Sequence, residues 1–333
     1  MNFYTLQDKI TKILPGMLIS TLIAISAKFL SDNYGVPSML MAILIGMSFN
    51  FLPNEKKFTA GFEFCTKHAL YAGIVLMGSR ISLNTILKID PEILLIVTSG
   101  VIFTILFSIF ILRNFKLPIG FGVLIGGSIA ICGVSAAMAI SSVLPKYKNS
   151  EQSLSFVIIG ITIMSTICMI LYPIVTNQLE FNNVKAGIFF GATIHDVAQV
   201  VGAGFSISDT SGEIAVLIKL FRISLLLPLI LIISIISYKM KYLRDATTNK
   251  FPIPSFILFF LLFSALNSLE FFSSNIKLTF HEISSWCLLI AISAVGTKTD
   301  FSKLKVVGPV PSLIIVLVTA FLMTYIFGLL III

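Results

Sequence analysis

The sequence predicts an all-α protein, a polytopic bundle of about eleven transmembrane helices. Hydrophobic residues make up 57% of the 333 residues and charged residues only 11%, whereas a soluble domain carries roughly 25% charged residues. Apolar runs of about twenty residues, long enough to cross the lipid hydrocarbon as a helix, recur along the whole chain. Lipid is therefore the expected solvent for most of this sequence.

The spans follow one another with short connections, and no loop has the length or polar composition of a separate soluble domain. Residues 1–333 are therefore expected to form a single integral membrane domain. In chain order, the predicted spans are 13–30, 36–52, 60–79, 92–112, 119–144, 151–176, 184–204, 212–238, 253–270, 280–297 and 309–332.

The Lys and Arg residues indicate the orientation of these spans. Most of those in the loops fall on the side of the amino terminus, which predicts a cytoplasmic amino terminus and an external carboxyl terminus. The formal net charge of +8 is thus attributed to topology, and no nucleic-acid partner is expected. The four cysteines lie far apart without CxxC spacing or a histidine cluster, so neither a disulfide framework nor a metal or other cofactor is predicted.

Two spans begin with helix-capping patterns. Asp90 precedes Pro91 at the start of the fourth span, and Thr210–Glu213 has the spacing of a capping box at the start of the eighth. Structural roles are expected for these acidic residues.

The third and tenth spans end in similar motifs, Gly78–Asn84 and Gly296–Ser302, which share a glycine, a hydroxyl residue and a cation in the same order. One span is odd and the other even, so the two copies would run in opposite directions across the bilayer. Inverted repeats of this kind are typical of secondary transporters. Two snorkelling cations at helix ends are the alternative interpretation.

The fifth span combines glycines with hydroxyl residues at mid-membrane depth. Such a stretch can interrupt its helix, and the amides that begin the second half-helix would then attract an anion. The candidate substrate ligands here are Ser128, Cys132, Gly133 and Ser135. A face of small residues that packs against a neighbouring helix explains the same glycines.

The seventh span places His195 and Asp196 in the middle of an apolar segment. Helical spacing would let Gln199 share a face with both, and Thr193 lies just before them. Intramembrane acids and histidines usually lie on ion or proton pathways, so His195 and Asp196 are the candidate proton-coupling residues. Thr193 and Gln199 are candidate substrate ligands. A structural His–Asp hydrogen bond between helices is the alternative.

The eighth span contains two cations, Lys219 and Arg222, less than one turn apart on an otherwise apolar helix. Two such cations call for anionic partners. An anionic substrate is one candidate partner and Asp196 is another, since Arg offers a bidentate fork and Lys a point charge.

At these positions the chain resembles the YeiH-type sulfate exporters of bacterial membranes. The resemblance rests on four stretches: Gly73–Gly78, Gly127–Ala136, Thr193–Val200, and Lys219–Arg222 with the downstream Pro228. The family pattern commonly has Glu where this chain has Asp196, which is one methylene shorter.

The resemblance implies a secondary transporter of the bacterial cytoplasmic membrane, similar in fold to bile-acid symporters and sodium–proton antiporters. It implies an interrupted-helix core that includes 119–144 and 184–238, panel helices from the remainder, and a sulfate-like or sulfonate-like anion as substrate.

The functional hypothesis is therefore a transporter of a small oxyanion that is coupled to protons or sodium, because no Walker-type ATP motif is present. A homodimer is compatible with the sequence. A cation–proton antiporter with Asp196 as ion ligand is the nearest alternative. A membrane-embedded enzyme would use His195 and Asp196 as general base and orienting partner on a lipid. No catalytic role is expected, because no further nucleophile or metal-ligand set accompanies this pair.

Overall fold

The computed structural model describes residues 3–79, 90–115, 117–145, 150–239, 255–299 and 309–332, and these residues form helices and short connections without a β-strand. The helices are α1 (Phe3–Tyr34), α2 (Ser38–Ser48), α3 (Lys56–Phe64), α4 (Leu70–Met77), α5 (Pro91–Asn114), α6 (Ile119–Ala130), α7 (Val134–Val143), α8 (Ser150–Gln178), α9 (Asn183–Thr193), α10 (Val197–Ile207), α11 (Asp209–Ser224), α12 (Leu226–Lys239), α13 (Ser255–Ser268), α14 (Ser274–Lys298) and α15 (Pro309–Ile332).

The described residues contain six helical stretches that are long and apolar enough to cross a membrane. They are Thr11–Tyr34, Pro91–Asn114, Gln152–Gln178, Asp209–Ile236, Ser274–Lys298 and Pro309–Ile332. The expected all-helical membrane protein is thus confirmed, but the number of about eleven spans is not. One reason is that the predicted spans 119–144 and 184–204 each consist of two short helices with a break between them.

The capping predictions have different outcomes. Asp90 caps α5, since its carboxylate accepts a hydrogen bond from the Glu92 amide at 3.0 Å. The capping box at Thr210–Glu213 is wrong, because α11 already begins at Asp209. The Ser208 hydroxyl accepts from the Ser211 amide at 3.1 Å and does the capping instead. The motif residues 80–84 and 300–302 lie outside the described residues, so the inverted repeat stays a prediction.

The chain divides into two compact units. Unit 1 comprises Met1–Ile89, Val201–Glu213 and Pro252–Asp300. Its helices approach closely at glycines. A β-carbon on Gly16 of α1 would lie 2.9 Å from the Cα of Gly61 in α3, and one on Gly46 of α2 would lie 3.0 Å from the Cα of Gly296 in α14. Small residues at such crossings let backbones touch where lipid offers no hydrophobic driving force.

Unit 2 comprises Asp90–Val200, Ile214–Phe251 and Phe301–Ile333. It contains α6, α7, α9 and the first residues of α10, together with α5, α8 and α15. The Ser108 hydroxyl of α5 donates to the Gly122 carbonyl of α6 at 2.8 Å, and the rings of Phe107 and Phe321 stack with centroids 4.0 Å apart. All ten candidate site residues from the sequence belong to this unit.

Candidate functional site

The first interruption separates α6 from α7. Helix α6 ends at Ala130 and α7 begins at Val134. Between them Gly133 adopts φ +63° and ψ −120°, a conformation that residues with a β-carbon rarely reach. The Gly133 amide donates back to the Ser128 carbonyl at 2.8 Å. The sequence prediction that this glycine-rich span is broken near Cys132 and Gly133 is confirmed.

The second interruption separates α9 from α10. Helix α9 ends at Thr193 and α10 begins at Val197, so His195 and Asp196 lie in the connecting segment. The continuous helical spacing that the sequence analysis applied to His195, Asp196 and Gln199 is therefore wrong. No glycine or proline occupies positions 194–196, and the break depends on contacts made by other helices.

One side chain joins the two interruptions. The Lys219 ammonium of α11 donates to the Ile131 carbonyl at 2.7 Å in the first break and to the Ile194 carbonyl at 2.8 Å in the second. It also donates to the His195 carbonyl. An ammonium has three N–H groups, so these carbonyls take all of them.

Arg222 makes a second set of bonds to the same two regions. Its Nε donates to the Ala130 carbonyl and its Nη2 to the Ile129 carbonyl, both at 2.9 Å. Its Nη1 donates to the Gly191 carbonyl at 2.9 Å and the Ile194 carbonyl at 3.0 Å. Four of the five guanidinium N–H groups thus hold the ends of α6 and α9.

These bonds account for the burial of two cations. Lys219 and Arg222 are both 0% exposed, a location that is very costly for a charge without partners. The last carbonyls of a helix lack intrahelical partners and form the negative end of its dipole. The two cations satisfy such carbonyls at both half-helices. Backbone carbonyls are thus the partners that the structure gives them.

The two breaks also touch directly. A β-carbon built on Gly133 would lie 3.7 Å from the His195 carbonyl oxygen and 3.4 Å from Cγ2 of Ile161. The segments that the sequence places more than sixty residues apart thus cross within unit 2, with the cations of α11 beside them.

Asp196 stands at the start of α10 and is partly exposed. Its amide donates to the Ser165 hydroxyl of α8 at 3.1 Å, and its carboxylate accepts from the Ala198 amide at 3.4 Å. It also interacts electrostatically with Lys219. The carboxylate therefore combines an N-terminal capping position with access from outside the protein core.

His195 and Gln199 are buried and incompletely hydrogen-bonded. The His195 Nε2 lies 3.0 Å from the Thr319 hydroxyl of α15, and the Gln199 Nε2 donates to the Thr166 hydroxyl of α8 at 3.5 Å. The His195 Nδ1 and the Gln199 Oε1 lack a hydrogen-bond partner of acceptable geometry in the part of the chain that the structure describes. Buried polar atoms are usually satisfied, so such atoms mark a place for water or a ligand.

The small polar residues of the two breaks divide into two kinds. The Ser128 and Thr193 hydroxyls donate to carbonyls four residues earlier in their own helices, those of Leu124 and Phe189. A hydroxyl whose hydrogen is used in this way can only accept a further bond, which does not suit an anion. Ser135 differs in being exposed, and its hydroxyl donates to the Cys132 carbonyl at 3.3 Å and lies 2.8 Å from the Cys132 sulfur.

Three residues of the site were not predicted from the sequence. Ser165, Thr166 and Thr319 position Asp196, Gln199 and His195. Each is an uncharged hydroxyl residue in an apolar span. Such a residue is not conspicuous there, because its hydroxyl can donate to a backbone carbonyl of its own helix. The adjacent pair Ser165-Thr166 inside span 151–176 was the available signal.

Comparison with known proteins gives consistent matches along the chain. A family model described as conserved hypothetical protein 698 matches residues 15–316. UPF0324 membrane protein TauZ of Paracoccus pantotrophus is 42% identical over 315 residues, which cover 94% of this chain and 93% of that protein. A UPF0324 membrane protein of Chlorobaculum tepidum is also 42% identical over 315 residues, with 94% and 88% covered. One of Bacillus anthracis is 32% identical over 302 residues.

Proposed function

This chain belongs to the YeiH family of UPF0324 membrane proteins, and from that premise we propose that it is a secondary active transporter of a small anion. The substrate class is sulfate or a related oxyanion or sulfonate, moved across the bacterial cytoplasmic membrane. The observation that carries the proposal is the bridge that Lys219 forms between the two interrupted helices. Interrupted helices that meet in one bundle are the usual binding architecture of secondary transporters.

The charges of the site favour an anion over a cation. In transporters with interrupted helices, unwound carbonyls commonly coordinate Na⁺. Here such carbonyls already accept hydrogen bonds from Lys219 and Arg222, so fixed cations of the protein occupy that place. Two positive charges and the one negative charge of Asp196 leave the cluster with one net positive charge. The positive dipole ends of α7 and α10 add to it.

The anion is proposed to bind at the beginnings of α7 and α10. Cys132 and Gly133 lie just before α7 and Ser135 lies in its first turn, where the backbone amides are the available donors. Gln199 lies in the first turn of α10. Ser128 and Thr193 would shape the turns before the breaks rather than donate to the anion, and Lys219 and Arg222 would act through their charge.

Asp196 is the proposed proton carrier. It is the one carboxylate among the candidate site residues and is not fully buried, which the proposal requires of a group that exchanges protons. His195 is fully buried beside the two fixed cations, where protonation would add a third positive charge without a partner. We therefore assign His195 a structural role, in which its contact with Thr319 positions the connecting segment. Of the two residues that the sequence suggested for proton coupling, the proposal keeps Asp196.

The remaining expectations are part of the same proposal. They are the inverted repeat, the cytoplasmic amino terminus and external carboxyl terminus, a possible homodimer, and the absence of a catalytic activity. The proposed alternation of access would move the interrupted-helix core relative to the other helices, with the cations holding the crossing together.

The test is radiolabelled sulfate flux into proteoliposomes that contain the purified protein, with and without an imposed pH gradient. Flux above that of empty liposomes, increased by the gradient, is the expected result. A small sulfonate and labelled sodium are measured in parallel. Sodium–proton exchange that needs no anion would replace the proposal with the cation antiporter. Absence of flux for both sulfate and the sulfonate would overturn it.

A further inference from the structure

A polar cavity lies within unit 1, and Phe205 of α10 is one of the residues that line it. Its volume is about 250 Å³, and its polar lining includes Lys28, Ser38, Asp209, His281, Ser285 and Trp286. For comparison, a cavity of roughly 150 Å³ accommodates benzene. The unit 1 cavity is therefore large enough for a small organic molecule.

Groups of opposite charge line this cavity. Lys28 of α1 contributes an ammonium, and Asp209 contributes a carboxylate at the start of α11. Asp209 lies 3.7 Å from the Nε2 of His281, an ion-pair distance that is too long for a hydrogen bond. Because these groups come from α1, α11 and α14, the fold and not local sequence brings them to one cavity.

Both charged groups retain capacity for a ligand. Lys28 donates to Asp32 at 2.8 Å, but an ammonium has three N–H groups, and an exposed pair of this kind is weak. A carboxylate offers about four lone-pair sites, so the contact of Asp209 with His281 is compatible with a hydrogen bond to a ligand. Neither contact prevents binding.

Trp286 adds an aromatic surface to the same wall. Ammonium groups are attracted to the face of an indole ring, and the attraction strengthens when the ammonium is partly removed from water. The Ser38 and Ser285 hydroxyls can donate to an oxyanion. The cavity therefore presents partners for a cation and for an anion at once.

We propose that the unit 1 cavity binds a small zwitterion that carries an ammonium group and an oxyanion. Asp209 and Trp286 hold the ammonium, while Lys28, His281 and the serine hydroxyls hold the oxyanion. Phosphoethanolamine has this chemistry, either as a free solute or as the headgroup of a phospholipid. The inference does not depend on the transport proposal, because none of these residues belongs to unit 2.

The test uses Trp286, the only tryptophan in the sequence. Tryptophan emission of the full-length protein in phosphatidylcholine nanodiscs is followed during titration with O-phosphoethanolamine, and calorimetry of the same titration gives an independent dissociation constant. We expect saturable binding that Asp209→Asn and Lys28→Gln each weaken by about tenfold or more, the loss expected for a charge-assisted hydrogen bond. The matched variants Glu282→Gln and Lys277→Gln, whose side chains do not line the cavity, should bind as the unmodified protein does.

Separate titrations distinguish the two sources and the two halves of the ligand. Ethanolamine alone and phosphate alone should bind more weakly than the zwitterion. A change in emission in phosphatidylethanolamine nanodiscs, lost in Asp209→Asn, would identify the lipid headgroup as the source. Binding of the free solute only would identify a soluble ligand. No binding by either source in both measurements, or equal binding by the cavity and control variants, would overturn the proposal.

Discussion

Lys219 donates a hydrogen bond to the carbonyl of Ile131 at 2.7 Å, across 88 positions of sequence. The same ammonium reaches the carbonyls of Ile194 and His195. A single buried charge thereby holds both helix interruptions in contact. Lys219 occupies the place at unwound carbonyls that a bound metal ion takes in many transporters, and the dependence of the fold on it can be tested by substitution.

Lys219→Met should destabilise the protein severely. The substitution nearly keeps the length of the side chain but removes the Lys219 donor from the carbonyls of Ile131 and His195 and leaves the Ile194 carbonyl with Arg222 alone. Removing one partner from a buried charged contact costs about 3–5 kcal/mol. The measurement is the thermal unfolding of the purified protein in detergent. Lys12→Met, on an exposed part of α1, is the matched control and should unfold like the unmodified protein. Equal midpoints for the two variants would contradict the structural role.

Arg222→Lys should be nearly as harmful as Arg222→Met, although it preserves the charge. A lysine cannot reproduce four donors that reach α6 and α9 in a planar fork. We expect a loss of about 2–4 kcal/mol, consistent with several weakened charge-assisted hydrogen bonds. Arg113→Lys, at the exposed end of α5, should change the unfolding midpoint little. If Arg222→Lys is also tolerated, charge alone and not the hydrogen-bond geometry is required.

Gly133→Ala should be costly for conformational reasons. A methyl group at this position would fit, since the nearest atom, Cγ2 of Ile161, would lie 3.4 Å from the added β-carbon. Any loss of stability therefore comes from the backbone conformation, φ +63° with ψ −120°. Such strain costs about 1–3 kcal/mol. Gly328→Ala is the control, because Gly328 is helical and open on α15, where alanine stabilises by up to about 1 kcal/mol. Opposite shifts of the unfolding midpoint are expected.

Asp196→Asn should separate anion exchange from proton coupling. Asparagine can still accept the Ala198 amide and cap α10, so the fold should persist. Sulfate exchange across proteoliposomes should continue, while a pH gradient should no longer drive accumulation. Asp90→Asn provides the control, since Asp90 caps α5 in the same manner but lies outside the site. Retained gradient-driven accumulation in Asp196→Asn would exclude Asp196 as the proton carrier.

Some features of the site were accessible from sequence because they depend on residue type alone. The glycines around Cys132 predicted the first interruption, since a positive φ favours glycine. The charges of Lys219, Arg222, His195 and Asp196 were conspicuous against apolar spans. The hydrogen-bond partners of Lys219 and Arg222 could not be predicted from the sequence. They are backbone carbonyls, which every residue has. Positions 194–196 contain no glycine or proline, so their residue types did not predict the second interruption.

The sequence by itself determined that this protein is a helical membrane protein, which follows from local hydropathy, and four of its stretches indicated the family that the family model and the relatives show. Tertiary structure alone decided that residues near positions 131 and 194 cross, that cations of α11 join them, and that hydroxyls of α8 and α15 position Asp196 and His195. The physical reason is that burial of a charge requires partners from several helices at once, and only packing determines which carbonyls and hydroxyls come within reach.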